Sequence, residues 1–243
     1  PECADDARRF CSYYLPTAVK LLNTYNEVAP HADESSVAAG IQSEVSQVLD
    51  TMSTAFRGLM DNLLQNTAVD MQAEISALET VLAHYQGPLV LDADALNILS
   101  KHPDWLKKGD TPKILTPHMG EMVRLSGHSM EELKQKPLEL AAAYAKEHEV
   151  ILVLKDARTV VTDGERIVLN TTGNNGMATG GSGDVLTGII TGILAQGMAP
   201  FEAAVSGVYL HGLAGDRAAE NTGVRGMLST DLLKELPGVL KEG

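Results

Sequence analysis

Three short apolar segments, each followed by polar or charged residues, constrain the fold of this chain more than any other feature. The segments, with the polar residues that follow, are Leu89–Leu91 before Asp92 and Asp94, Lys113–Leu115 before His118, and Val150–Leu154 before Lys155. Such runs are typical of buried strands in a parallel sheet. Ligands of such sheets bind beyond the carboxyl ends of the strands. The sequence therefore predicts a ligand site at this edge.

Helical segments alternate with these strands and continue after them. The predicted helices are 95–100, 120–125, 131–147, 184–196, 200–220 and 229–241, and a hairpin joins strands 159–162 and 166–170 through Asp163, Gly164 and Glu165. Alternation of this kind predicts an α/β fold with a mainly parallel sheet and flanking helices.

A glycine-rich segment, 172–184, leads into the predicted helix 184–196. Five glycines stand in it, and Asp184 follows the last of them. Amide groups at a helix start, together with the helix dipole, attract anions, and glycines let the backbone approach a phosphate closely. Asp184 would then stand where a base for a hydroxyl nucleophile is needed. The alternative is an ordinary loop whose Asp caps the helix.

Further polar residues each allow two interpretations. Lys155, with Arg158 close behind it, suits a phosphate, or else marks a solvated strand end. His118 is predicted to hydrogen-bond a ligand; zinc is disfavoured, because no second His stands at the required spacing. Asp92 and Asp94 either hold the water shell of Mg²⁺ or cap the next helix. His211, in an apolar helix, favours a core role.

Residues 1–86 are predicted to be helical throughout, and the pattern changes at Gly87–Pro88. A first helix is expected over 4–28, bent at Pro16. Apolar residues then recur at helical spacing over 41–63 and 71–85. Asp33 or Ser35 is expected to cap the second helix. These segments form a helical hairpin or a three-helix unit, so the predicted domains are 1–86 and 87–243.

Composition narrows the classes of partner and compartment. The net charge of −13 disfavours nucleic acid and anionic membranes as partners. No apolar run reaches the length of a membrane span, and no signal peptide is expected. Two cysteines, Cys3 and Cys11, make no disulfide scaffold, which favours a reducing cytoplasm. The sequence leaves open whether the chain forms a homo-oligomer.

Four motifs along residues 87–243 occur in the order of a known family. They are LVLDADALN at 89–97, LTPHMGE at 115–121, GNNGMATGGSGDVLTG at 173–188 and YLHGLAGD at 209–216. With these motifs, residues 87–243 resemble the ADP- or ATP-dependent NAD(P)H-hydrate dehydratases, which are metabolite-repair enzymes with a ribokinase-like fold.

The resemblance implies both a reaction and its residues. The hydroxyl of hydrated NADH or NADPH would be phosphorylated by ADP or ATP with Mg²⁺, and phosphate elimination would restore the nicotinamide. Asp184 would be the catalytic base and, with His118, would contact the hydrate. The nucleotide would contact Gly183 and five consecutive residues, which are Lys155, Asp156, Ala157, Arg158 and Thr159. No residue is assigned as a metal ligand.

The chain also departs from that family. About a hundred family residues, including a Gly-Pro-Gly turn that helps to hold the substrate, have no counterpart in residues 1–86. Those residues instead resemble the helical C-terminal part of bacterial bromochloroindolyl-phosphate hydrolysis proteins, notably at 10–25. A natural fusion, an assembly error and an engineered chimera each account for such a join. The α/β part is then a partial ribokinase-like fold, whose sheet keeps one uncovered edge.

Three functions follow as alternatives. The first is a hydrate dehydratase, impaired by the missing half. The second is a small-molecule kinase of the same fold, which the LTPHMGE segment disfavours. The third is a catalytically silent nucleotide-binding or interaction fragment.

Overall fold

The computed structural model describes residues 10–31, 33 and 35–241. The chain divides between Glu74 and Ile75 into two compact units, twelve residues ahead of the predicted boundary. Cys3 and the start of the predicted first helix lie outside the described residues. In the part of the chain that is described, no helix is long and apolar enough to cross a bilayer.

The first unit is helical. A π-helix (Phe10–Tyr14) leads into α1 (Leu15–Val28), and a 3-10 turn (Ala29–His31) precedes α2 (Ser36–His84), which continues into the second unit. Pro16 lies in the first turn of α1, where its missing N–H needs no partner. Ser35 Oγ accepts a hydrogen bond from the Ala38 amide at 3.4 Å, which confirms Ser35 as the cap of α2.

The helical segments expected over 41–63 and 71–85 belong to the single helix α2. Its 49 residues contain no proline, so nothing in the covalent chain forces a break. Within the first unit, the Gln42 side chain of α2 donates a hydrogen bond to the Tyr25 hydroxyl of α1 at 3.3 Å.

The second unit alternates strands and helices. After α2 the elements are β1 (Leu89–Leu91), α3 (Asp94–Leu99), β2 (Lys113–Leu115), α4 (Met119–Ser126), α5 (Met130–Gln135), α6 (Pro137–His148), β3 (Ile151–Leu154), β4 (Val160–Thr162), β5 (Ile167–Leu169), α7 (Ser182–Ala195), α8 (Pro200–Thr222) and α9 (Ser229–Val239). Two 3-10 turns (Pro103–Lys107 and Asn175–Met177) lie between them. The expected α/β fold with flanking helices is confirmed.

The sheet is mixed, with its strands in the order β1-β2-β3-β4-β5. β1, β2 and β3 are parallel, whereas β4 and β5 continue antiparallel. The hairpin predicted around Gly164 connects β4 to β5, and it accounts for the antiparallel half. Among the described residues, no strand pairs with the outer edge of β1. The uncovered edge expected from the sequence stays a prediction.

Both faces of the sheet are covered by helices. Leu115, Leu152 and Leu154 pack with α3, α4, α6 and the end of α2, where Leu82 is fully buried. The intervening strand residues pack on α7 and α8, because successive side chains of a strand point to opposite faces. α9 packs against α7 and α8 in a third apolar cluster. This packing fixes the start of α7 relative to the strand ends.

One predicted helix is divided in the structure. The segment expected over 131–147 forms α5 and α6, which meet at Lys136. Pro137 disfavours a helical backbone in the residue before it, and it begins α6 without an N–H to satisfy. Ser129 and Glu132 form a capping box at the start of α5.

Candidate functional site

The ends of β1, β2 and β3 bring Asp92, His118 and Lys155 to one edge of the sheet. The Lys155 amide donates to the Pro117 carbonyl at 2.8 Å, which continues the parallel pairing of β2 and β3 beyond the strands. Lys155 Nζ lies 2.9 Å from Asp92 Oδ1. The structure thus brings together the polar strand ends, as the sequence predicted.

The structure gives Asp92 two partners that the sequence did not indicate, and its predicted part in holding the water shell of Mg²⁺ stays a prediction. One carboxylate oxygen pairs with Lys155, and the other accepts a hydrogen bond from Thr187 Oγ1 of α7 at 3.1 Å. Asp92 therefore does not cap α3, whose start has no side-chain cap. Asp94 lies in the first turn of α3 and accepts from the Asn97 side chain at 3.3 Å.

The glycine-rich segment is tied to α8 by one carboxylate. Asp216 Oδ2 accepts from the Gly173 amide at 2.8 Å, and Asp216 Oδ1 accepts from the Asn174 side chain at 3.1 Å. Asp216 ends the YLHGLAGD motif, but no role was predicted for it from the sequence. The glycine spacing in that motif could have indicated one, because Gly212 and Gly215 let the loop approach the backbone of α8.

The loop ends at the N-terminus of α7. Gly181 has φ of +86°, a left-handed conformation that favours glycine, and the helix begins at Ser182. The Val185 amide donates to the Gly181 carbonyl at 3.1 Å. The amides of Gly183 and Asp184 precede that bond, so they point out of the helix end toward any anion placed there.

Lys155 lies directly at this helix end. A Cβ built on Gly183 would stand 3.3 Å from Lys155 Nζ and 3.6 Å from Asp92 Oδ2. The glycine therefore leaves room for the ammonium beside the first-turn amides. Asp184, the next residue, is exposed. A cation, two outward amides and an accessible carboxylate thus share one small region.

His118 caps a helix, in addition to its predicted contact with the substrate. Nδ1 of the ring accepts from the amides of Gly120 and Glu121, at 3.0 and 3.2 Å, and so caps α4. Glu121 Oε2 accepts the His118 amide at 2.8 Å in return. With Nδ1 engaged as an acceptor, the neutral ring donates through Nε2. Nε2 lies 3.4 Å from Glu121 Oε1, and the His118 side chain is about half exposed, so a ligand would share this nitrogen with Glu121.

The segment after Lys155 forms the connection to β4. Asp156, Ala157 and Arg158 are exposed, whereas Thr159 is partly buried and its carbonyl accepts from the Asn170 amide at 2.9 Å. This exposed stretch follows Lys155 directly in the sequence. Its predicted contact with a nucleotide stays a prediction.

An apolar cavity of about 480 Å³ runs along α7 and α9. Asp184 lies at one end and Gln196 at the other, and Leu233, Leu236 and Leu240 form part of the wall. The exposed face of α7 carries glycines here, at 188 and 192, which keeps the cavity open. A planar ring system would therefore find apolar room next to the Asp184 carboxylate.

His211 of α8 lies beside this site rather than only in the core. Its Nε2 is 3.3 Å from Ser182 Oγ, in the first turn of α7. Burial lowers the pKa of His211 to about 4; the Ser182 contact opposes that shift, and the charge of Lys155 adds to it. The ring is consequently neutral at pH 7.

We expect this buried histidine to make the protein sensitive to acid. Its folded pKa of about 4 lies below the ordinary value of 6.5, so the unfolded chain binds more protons between these values. Stability from this group is complete above pH 6.5 and is lost as the pH falls towards 4, by about 3 kcal/mol. Urea unfolding of the wild type and of His211→Gln at several pH values measures this difference. Parallel pH dependence in the two proteins would contradict it.

Comparison with known proteins identifies the family of this chain. A model of the family described as NAD(P)H-hydrate dehydratase matches residues 63–238. A bifunctional NAD(P)H-hydrate repair enzyme of Moorella thermoacetica is 49% identical over 171 residues, which are 70% of this chain and 32% of that protein. The chain thus spans about a third of that relative's length.

Solved structures support the same assignment. The ADP/ATP-dependent NAD(P)H-hydrate dehydratase of Bacillus subtilis, co-crystallised with ATP and Mg²⁺, aligns with a TM-score of 0.57 and 36% identity, over 64% of this chain and 55% of that one. A ribokinase-like superfamily protein of Enterococcus faecalis aligns with a TM-score of 0.61 and 34% identity, over 69% and 58%. The ribokinase-like fold predicted for residues 87–243 is confirmed, and the chain belongs to the NAD(P)H-hydrate dehydratase family.

Proposed function

We propose that this chain dehydrates hydrated NADH or NADPH at the expense of ADP or ATP. The observation that carries the proposal is the placement of Lys155 Nζ against Gly183 at the start of α7, with the exposed Asp184 carboxylate next in the chain. Phosphoryl transfer needs charge stabilisation and positioning more than covalent chemistry. This arrangement supplies both of these at one point.

In the proposed reaction, the terminal phosphate of the nucleotide rests on the amides of Gly183 and Asp184 and against Lys155. Residues 156–159 contact the rest of the nucleotide. The hydrate binds with its hydroxyl at Asp184, and His118 donates to it through Nε2. As the hydroxyl oxygen bonds to phosphorus, its proton passes to Asp184 and the nucleotide bridge oxygen leaves. Loss of phosphate from the ring, with a proton from the adjacent carbon, then restores the double bond.

We propose that Mg²⁺ enters this site on the nucleotide. In the described part of the chain, no group of three or more His, Cys, Asp or Glu side chains is arranged to hold a metal ion. Mg²⁺ commonly keeps several waters and is bound through substrate phosphates with few carboxylates. It would neutralise charge on the phosphates, while Lys155 and the α7 amides orient them.

The remaining assignments are proposals too. The substrate is the small molecule named above, with neither nucleic acid nor membrane as partner, and the location is cytoplasmic. Residues 87–243 form the catalytic part and 1–86 a helical segment in front of it. The likeness of residues 1–86 to bromochloroindolyl-phosphate hydrolysis proteins stays a prediction.

One observation favours a second candidate, the catalytically silent nucleotide-binding fragment. The chain spans 55% of the solved Bacillus subtilis relative, and the outer edge of β1 pairs with no described strand. A site with phosphate-binding elements and an incomplete substrate pocket would bind nucleotide without turning over the hydrate.

A turnover assay decides between the candidates. The purified chain is mixed with NADH hydrate, Mg²⁺ and either ADP or ATP, and NADH formation and released phosphate are followed together. We expect the two products in equal amounts, and no reaction without nucleotide. A stable phosphorylated product instead would indicate a kinase. Thermal stabilisation by ADP without turnover would support the silent fragment, and neither stabilisation nor turnover would refute both.

A further inference from the structure

Lys155 takes part in the reaction proposed above, but its ion-pair partner Asp92 has no role there. The ion pair joins the ends of β1 and β3 with a distance of 2.9 Å, and the two side chains are only 14% and 21% exposed. Two charges withdrawn from water to this extent interact more strongly than a surface pair. The pair therefore influences the binding energy of any charged group that is placed beside it.

Asp92 is fixed in direction by three contacts. Besides Lys155, its carboxylate accepts the Thr187 hydroxyl from the second turn of α7 at 3.1 Å. Its carbonyl accepts the Ala95 amide at 3.2 Å across a tight turn. Ala93, inside that turn, has φ of +50°, a backbone state that persists only where the surroundings enforce it. Asp92 thus connects β1, β3 and α7.

The position of this pair matters because of what lies beside it. Gly183 lies close to both charges, since a Cβ built on that residue would stand 3.3 Å from Lys155 Nζ and 3.6 Å from Asp92 Oδ2. A phosphate at the α7 amides would therefore lie near an attractive ammonium and also near a repulsive carboxylate. The carboxylate opposes binding while it holds the ammonium in place.

We propose that Asp92 is a positioning residue that sets the strength of phosphate binding at this site. It orients Lys155 beside the first turn of α7, and its charge offsets part of the attraction of Lys155 for phosphate. This inference rests on the proposed function, because it concerns the same phosphate. Removal of the charge is expected to tighten binding and slow turnover, whereas simple structural damage would weaken binding.

The test compares Asp92→Asn with the wild type by calorimetric titration of ADP and of inorganic phosphate. We expect both to bind about tenfold more tightly to the variant, since one like charge near the anion has gone. In turnover, KM for the nucleotide should fall together with kcat. Asp94→Asn is the matched control: it removes a charge two residues away without touching Lys155, so its affinities should stay within about twofold of the wild type.

The Thr187→Val variant provides an independent test of the proposal. It releases one oxygen of Asp92 but keeps the charge, so we expect unchanged ADP affinity with lower kcat. If Asp92→Asn does not fold, the Thr187→Val variant tests the proposal alone. A kcat equal to that of the wild type in Thr187→Val would then overturn the proposal. Equal or weaker ADP binding by a folded Asp92→Asn would also overturn it. Absence of ADP binding to the wild type would refute the proposed function instead, which separates the two failures.

Discussion

Replacement of Asp184 by asparagine is expected to lower hydrate turnover about a thousandfold, while nucleotide affinity stays within a few-fold of the wild type. A positioned base contributes about 10²–10⁴ in rate, and asparagine cannot take the proton of the hydroxyl nucleophile. The α7 amides and Lys155 Nζ are left in place, so the phosphate contacts persist. Single-turnover phosphate release and ADP titration measure the two quantities.

Glu139→Gln is the matched control for this variant. Glu139, like Asp184, is an exposed carboxylate in the first turn of a helix, and each of the two substitutions removes a favourable charge–dipole interaction of about 0.3–1 kcal/mol. Only Asp184→Asn should affect turnover. Wild-type rates in Asp184→Asn would remove Asp184 from the chemistry, even if the nucleotide still binds.

Replacement of Gly212 by alanine is expected to destabilise the second unit by about 3 kcal/mol and to weaken ADP binding. A Cβ at this position would stand 2.2 Å from Thr172 Oγ1 and 2.8 Å from the Thr172 carbonyl carbon. Thr172 cannot rotate away from a backbone clash, so the glycine-rich loop must move off α8. Loss of that contact displaces the Gly173 amide from Asp216, whose hydrogen bond of 2.8 Å anchors the loop.

Gly192→Ala is the control variant, and it is expected to change stability in the opposite direction. Nothing lies within 4 Å of a Cβ at Gly192 in α7, and alanine favours a helix over glycine by about 1 kcal/mol. Denaturant unfolding should therefore show a gain for this variant and a loss for Gly212→Ala. A Gly212→Ala protein as stable as the wild type would show that the loop tolerates another path over α8.

Local patterns were enough to predict most of the elements around the site. The apolar run before Asp92 predicted a strand, because a strand buried on both faces needs consecutive apolar residues. The glycine-rich run before Asp184 predicted a helix start, because the close approach of a phosphate needs glycines. The break at Lys136 was also present in the sequence as Pro137, but helical spacing on both sides concealed it. The antiparallel half of the sheet followed from the hairpin at Gly164.

Contacts between residues that are far apart in the chain could not be predicted from the sequence. Asp92 was predicted to hold the water shell of Mg²⁺ or to cap a helix, and the two side chains that it contacts, Lys155 and Thr187, stand 63 and 95 residues further along the chain. His211 was predicted to be a satisfied core residue, but the partner of its ring, Ser182 at the start of α7, stands 29 residues earlier in the chain and was not predicted. Such pairings depend on strand order and on how α7 and α8 pack on the sheet.

The amino-acid sequence by itself determined the order of strands and helices, the family, and the residue types gathered at the strand ends, because each of these depends on short-range spacing of apolar residues, glycines and charges. Only the tertiary structure decided that a carboxylate from β1 neutralises the lysine of β3 beside the first turn of α7. That pairing arises when three separately encoded elements pack on one sheet, and polar groups removed from water must then find partners within reach.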